Sequence, residues 1–296
     1  MPAPVLLFTY NRPLHTQRTL EALRNNRLCN ESELFIFSDG YKGEEDKADV
    51  EEVRRIIRGF DGAGQVYLLE NDRNKGLAAN IIGGVTRVVN DYGKVIVLED
   101  DLITSPCFLS FMNEALDRFE EEEQIGHIQG YCYPLPALPD AFLIRWTGSW
   151  GWATWKRAWQ HFNPDGRFLL QQIESRGLAR TFDFNGTYPY TRMLRRQVNG
   201  ENDSWAIRWN ASLFLKGILS LNAGKSLVQN IGLDGSGTHS GGDNVYKTDL
   251  YAGKPIIRIP SIREDESARR AFERYYIKTN SFWAKVKRRL KRYLKR

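Results

Sequence analysis

Three consecutive carboxylates, Glu99, Asp100 and Asp101, stand directly after the apolar run Val95, Ile96, Val97 and Leu98. The run is rich in β-branched residues and reads as a strand covered on both faces of an α/β sheet. Open α/β sheets bind ligands just beyond the carboxyl ends of their strands, so the acids stand where chemistry is expected. Alternation along an extended chain would point Glu99 and Asp101 to one side and Asp100 to the other, an arrangement suited to a cation clamp beside a sugar or ribose contact. Uncompensated, three acids at a buried strand end repel one another, which points to a divalent metal on Asp101. Hard oxygen ligands suit Mg²⁺ or Mn²⁺. The alternative is a solvated acidic turn before the helix that starts near Ser105.

The elements that must position these acids run β, α, β, α, β, α, β. A strand at Val5–Thr9 leads into Tyr10, Asn11, Arg12 and Pro13, with Pro13 in the first turn of a helix to about Arg27. A strand at Leu34–Ser38 ends in Asp39 and Gly40, a helix covers about Glu45–Arg58, and a third strand covers Val66–Leu69. The polar loop Asn71–Gly76, which includes Lys75, precedes a helix at Leu77–Asn90 and then the acidic strand. This alternation predicts a largely parallel sheet with right-handed crossovers. Polar residues recur at one sheet edge, namely Thr9, Asn11 and Arg12, Asp39, Asn71–Lys75 and Glu99–Asp101, and that recurrence favours a nucleotide site. No G-x-G-x-x-G follows the first strand and no G-x-x-x-x-G-K-[ST] occurs in the chain, so a nucleotide must be held some other way, and a metal bridging its diphosphate to Asp101 would do it.

The second half offers aromatic rather than acidic chemistry. A helix at Cys107–Glu123 and a strand at Ile125–Gln129 lead into a Pro-rich connection, and then into Trp146, Trp150, Trp152, Trp155 and Trp159. Indole faces stack on the apolar faces of sugar rings, and Trp150 and Trp152 are the candidates for such contact, against core packing under a lid. His239 lies in the Gly-rich run GLDGSGTHSGG and could ligate the metal or touch a diphosphate. His15, His127 and His161 read as structural. The acids Glu201 and Asp203 precede a helix carrying Trp205, Ile207 and Trp209, where an acid serves either as N-cap or as general base.

Bulk properties bound the class. The 296 residues, 42% of them hydrophobic, fit one large α/β domain or two small ones. No apolar run approaches the roughly 18 residues needed to span a bilayer, and a cytoplasmic protein is expected. Cys29, Cys107 and Cys132 form no C-x-x-C pair and read as packing residues. The net charge of +6 is concentrated in residues 281–296, which carry eight Lys and Arg and no acid, so the remaining body is close to neutral. A basic stripe on the folded body is lacking, which argues against nucleic acid as a partner. Phe282, Val286, Leu290, Tyr293 and Leu294 recur at helical spacing among those cations, as in a helix lying on an anionic leaflet at the inner face of the plasma membrane.

VLLFTYNRP at 5–13, FSDG at 37–40, the loop and helix at 75–79 and VIVLEDD at 95–101 together resemble the nucleotide-sugar-binding half of GT-A-fold glycosyltransferases. The nearest type is N-acetylglucosaminyltransferase I with its bacterial surface-polysaccharide relatives. SWGWATW at 149–155, NDSWAIRW at 202–209 and GLDGSGTHSG at 232–241 are similar to later segments of that family, so the resemblance covers roughly residues 4–243.

The resemblance implies a Rossmann-like, mostly parallel mixed sheet flanked by helices, over residues 1–265. Within it, 1–130 would bind the nucleotide-sugar and 131–265 the acceptor, with a basic helical extension at 266–296. It further implies that Arg12 and Asp39 contact a uridine nucleotide, that Asp100 lies against ribose or sugar, that Asp101 ligates the metal, and that Asp203 is the base, with Glu201 as competitor. The activity it implies is inverting, Mn²⁺- or Mg²⁺-dependent transfer from a UDP-sugar, UDP-GlcNAc among the candidates, to a hydroxyl of a glycan or lipid-linked glycan, in bacterial surface-polysaccharide synthesis. The alternatives are a nucleotidyltransferase acting on sugar phosphates and a non-catalytic carbohydrate-binding protein.

Overall fold

Three apolar runs become adjacent parallel strands because each is buried on both faces: β1 (Val5–Thr9), β2 (Glu33–Ser38) and β4 (Lys94–Glu99). A fourth, β3 (Gln65–Glu70), lies outside β2 at the sheet edge. The computed structural model describes residues 1–234 and 244–280. Alternation divides each strand between two cores. Val5, Leu7, Leu34, Ile36, Ile96 and Leu98 face helices α1 (Pro13–Arg24) and α2 (Glu44–Arg58). Leu6, Phe8, Phe35, Phe37, Val95 and Val97 face α3 (Leu77–Tyr92). Pro13 sits in the first turn of α1 as expected, whereas α1 stops at Arg24 rather than Arg27.

Beyond β4 come the short β5 (Leu102–Thr104), helix α4 (Phe108–Arg118) and β6 (Ile125–Gln129). The chain then forms β7 (Ala141–Ile144) and β8 (Trp152–Trp155). Five helices follow: α5 (Lys156–Trp159), α6 (Gly166–Ser175), α7 (Ala179–Phe182), α8 (Tyr190–Val198) and α9 (Trp205–Lys216). Strands β9 (Leu219–Ala223) and β10 (Val228–Asn230) precede the last described helix, α10 (Glu266–Asn280). The large sheet has the order β3-β2-β1-β4-β8-β6-β9-β7, and β10 pairs antiparallel with β5. Strands β6 and β9 run with the first four, while β8 and β7 run against them. The result is the expected α/β class, a mixed and mostly parallel sheet flanked by helices.

Three expectations change. The Gly- and Trp-rich segment at 149–155 contains a strand, β8, wedged between β4 and β6, so its alternate residues belong to the sheet's two cores. Helix α4 ends at Arg118, and the acidic run 120–123 follows it as a turn. The helix after residue 265 is packed into the body, with Phe272 and Tyr276 buried, rather than appended to it. All three cysteines are free and buried, as read from their spacing. No described helix is long and apolar enough to cross a membrane. The basic segment 281–296 lies outside the described residues.

Candidate active site

Strand order locates the site. From β1 the chain moves outward to β2 and β3, then returns to the other side of β1 as β4. The switch point is therefore between β1 and β4, where open α/β sheets have a crevice at the strands' carboxyl ends. Arg12 leaves β1 there, and Asp100 and Asp101 leave β4.

The Arg12 Nη2 group donates to Asp100 Oδ1 at 2.5 Å and to Asp101 Oδ2 at 2.9 Å. Tyr10 N donates to Asp100 Oδ2 at 3.3 Å, and Thr19 of α1 holds the Asp100 carbonyl at 2.8 Å. The expected alternation of the acids is lost, because β4 ends at Glu99 and the chain turns through Asp100 and Asp101. Both aspartates therefore reach one guanidinium. Repulsion among the acids is met by this internal cation, and burial of Arg12 works against its charge but is outweighed by Asp100 and then Asp101, which hold it firmly protonated.

One arginine does not neutralise three acids. Burial, reinforced by Asp101 and Asp100, pushes the Glu99 carboxyl up to about 8 against the opposing pull of Arg12. Burial likewise raises Asp100, to about 6, with Arg12 again opposing. With Glu99 protonated the cluster still carries one excess negative charge. Asp101 Oδ1 is buried and has no hydrogen-bond partner among the described residues. A buried, unpartnered carboxylate oxygen is costly unless a ligand uses it, and it fits a hard divalent cation. Among the described residues no group of three or more His, Cys, Asp or Glu is assembled for a metal.

The loop after β10 seals one side of this cluster. Asn230 Oδ1 accepts from Gly232 N at 2.9 Å and shapes the loop's first turn. Ile231 N donates to the Asp101 carbonyl at 2.8 Å, and a Cβ added at Gly232 would lie 2.2 Å from Asp101 Oδ2 and 2.7 Å from Arg12 Nη1. Any larger residue there would displace the Asp101 or Arg12 side chain. His15 Nε2 lies 3.1 Å from Asp234 Oδ2 and fastens the same loop to α1. Sequence reasoning read His15 as structural and missed Thr19 and Asn230; the resemblance at 232–241 was the signal for this loop. His239 lies outside the described residues.

Other expected contacts are occupied by the fold. The Asp39 carboxylate accepts from the backbone N–H groups of Gly40, Lys75 and Gly76 and from the Asn71 side chain, at 2.9–3.2 Å. It shapes the loop before α3. Asn11 Nδ2 and the Tyr10 hydroxyl both bind Asp46 in the first turn of α2, at 2.7 and 2.6 Å. The Tyr10 phenol is raised to about 12, mainly by burial and by Asp46. Thr9 is buried, with its hydroxyl 3.5 Å from the Phe37 carbonyl, and Lys75 Nζ holds Asn71 Oδ1 at 2.7 Å.

The tryptophans divide. Trp152 is 0% exposed, stacked on Trp205 and His127, so its expected sugar-binding faces are taken by the core. Between Gly151 and Ala153 the space is filled from the neighbouring layer. Trp150 keeps partial exposure and packs edge-on to Tyr131 and Tyr246. The cap of α9 is Ser204, which accepts from Ile207 N at 3.3 Å, and this removes the capping role considered for Asp203. The Asp203 side chain is 73% exposed and pairs with Arg208 at 2.8 Å. Glu201 is exposed and pairs with Arg196 at 2.8 Å; the resulting hydrogen bond to Arg196 lowers its carboxyl.

No protein-family model matches the chain, and no curated protein does. Solved structures do. The chain is similar to mouse xyloside xylosyltransferase 1 in its apo form, at 10% identity and TM-score 0.38, over 74% of this chain and 82% of that one. It is similar to mannose-1-phosphate geranyltransferase from Thermus thermophilus, at 14% identity and TM-score 0.35, over 75% of this chain and 74% of that one. It is also similar to S. aureus TarS, at 13% identity and TM-score 0.30, over 47% of this chain and 23% of that one.

Proposed function

We propose that the chain is an inverting GT-A-type glycosyltransferase that binds a nucleotide-sugar, a UDP-sugar, at the β1–β4 switch point and transfers its sugar to a glycan or lipid-linked glycan hydroxyl. The observation that carries this reading is the Arg12–Asp100–Asp101 cluster, with Asp101 Oδ1 unpartnered among the described residues, at that crevice. A Mn²⁺ or Mg²⁺ ion held by Asp101 would neutralise charge on a leaving diphosphate. Arg12 orients both aspartates, Thr19 and Tyr10 fix the turn, and Gly232 lets the covering loop approach without displacing either group. Asp203, solvent-accessible and oriented by Arg208, is the group proposed to take the acceptor proton.

The test is nucleotide release over a panel of UDP-sugars with and without Mn²⁺, run beside calorimetry on Asp101→Asn. The expected result is metal-dependent UDP release by the parent, and a folded variant with weakened Mn²⁺ and donor binding. Pyrophosphate release would instead identify a nucleotidyltransferase, and no release with intact glycan binding a carbohydrate-binding protein. An Asp101→Asn chain that bound UDP and Mn²⁺ as tightly as the parent would move the site elsewhere.

The basic segment 281–296 supports a peripheral attachment to an anionic leaflet, each cation contributing on the order of 1 kcal/mol near such a surface. Deleting it should abolish binding to phosphatidylserine vesicles and spare turnover of a soluble acceptor. Vesicle binding that survives the deletion rules this attachment out.

A further inference from the structure

The two edges of the large sheet are finished differently. At one, β7 is buried and its backbone is met by the segment leading into α10, with Asp265 N donating to the Leu143 carbonyl at 2.7 Å. At the other, β3 is open, with Tyr67 40% and Leu68 38% exposed, and no described element lies along its outer side. Exposed strand edges are ordinarily blunted by lysine, proline or a bulge. Strand β3, QVYLLE, has none of these, and its pairing with β2 runs unbroken from Glu33↔Gln65 to Ser38↔Glu70. Its single charge, Glu70, is engaged by Arg58 at 2.5 Å and Arg54 at 3.8 Å.

We infer that β3 is a homodimer interface, pairing antiparallel with β3 of a second copy to continue the sheet across a two-fold axis. An axis perpendicular to a sheet keeps each face on its own side, so it must pass through a residue paired with itself. With Tyr67 opposite Tyr67 of the second copy, Val66 meets Leu68 and Gln65 meets Leu69, while Glu70 falls opposite Gly64. No like charges meet. Tyr67 already stacks on Phe35 of the neighbouring strand, with ring centroids 4.5 Å apart. The self-pair therefore continues one aromatic row across the junction, and aromatic cross-strand pairs are among the more stabilising. Centring on Leu68 would instead set Val66 against Glu70.

The experiment uses the full chain in sedimentation equilibrium over a concentration series, with Tyr67→Lys as the disrupting variant and Tyr67→Cys and Gln65→Cys as register probes. All native cysteines are buried, so only the introduced thiol reacts. We expect a monomer–dimer equilibrium whose dissociation constant rises at least about tenfold in Tyr67→Lys, with circular dichroism unchanged. Mild oxidation should yield a covalent dimer of Tyr67→Cys but not of Gln65→Cys, whose two copies would stand about 13 Å apart along the strands. A parent that stays monomeric, a dimer untouched by Tyr67→Lys, or cross-linking of Gln65→Cys in preference to Tyr67→Cys would each overturn the proposal.

Discussion

The half of the sheet built from β1 to β4 and the half built from β6 to β9 solve opposite problems. In the first, charged groups are gathered at strand ends and left incompletely satisfied: Glu99 and Asp100 are pushed towards neutrality, and one Asp101 oxygen has no partner among the described residues. In the second, uncharged polar atoms are drawn inside, and although Trp152 Nε1 and Asn222 Oδ1 lack a partner among the described residues, others are paired with one another. His127 Nε2 meets Gln129 Oε1 at 3.1 Å, and Trp209 Nε1 donates to His127 Nδ1 at 3.1 Å. Charge gathered and left unneutralised marks a candidate ligand site, whereas uncharged polar groups paired inside the core belong to the scaffold that holds it.

Removing scaffold should cost most. Trp152→Ala would open a cavity among Trp159, Trp205 and Trp209, and we expect a loss of about 4 kcal/mol in chemical denaturation. Trp150→Ala, at a partly exposed ring, should cost clearly less. Equal losses would erase the distinction between the two tryptophans.

The halves should also respond to pH with opposite slopes. Burial lowers His127 from 6.5 to about 4. A depressed histidine contributes stability that is complete above its unfolded value and is lost as pH falls through about 4, a loss of about 3 kcal/mol. Glu99, raised from 4.5 to about 8, contributes stability that is complete below 4.5 and is lost as pH rises through about 8. Denaturant midpoints measured with EDTA should fall on both sides, with His127→Gln flattening the acid limb and Glu99→Gln the alkaline one. A variant that leaves its limb unchanged would acquit that residue.

The smallest stability effect should come from Asp203→Asn. Its carboxylate is largely exposed and Ser204 holds the cap, so the change should cost roughly 0.5 kcal/mol. As the proposed base it should nevertheless lower transfer at least about a hundredfold. Normal transfer by this variant beside an inactive Glu201→Gln would shift the base to Glu201.

Legibility in the sequence followed the same divide. Val5–Thr9 was readable to the residue, because a continuous apolar run ending in a polar turn reports a strand buried on both faces. The acids at 99–101 were readable as a cluster at a strand's end because β4 is such a run. What periodicity could not convey was pairing between distant segments: that Arg12 would supply the counter-charge, that Asp39 would be consumed by its own loop, and that β8 would insert beside β4. The aromatic segment misled because burial and sugar contact use the same side chains, and only the neighbours of Trp152 decide between them.

The insertion of β8 also imposes an order of events on synthesis. Strand β6 leaves the ribosome before β8, yet β6 has no partner beside β4 until Trp152–Trp155 arrives to join them. Until then the inner edge of β4, among the most apolar stretches in the chain, stays open to wrong partners. Closing it requires contacts between residues some sixty positions apart, the kind of non-local pairing that slows folding. The nascent chain is thus most exposed to aggregation while roughly its first half is already made, and a chaperone acting on it would have most to do in that interval.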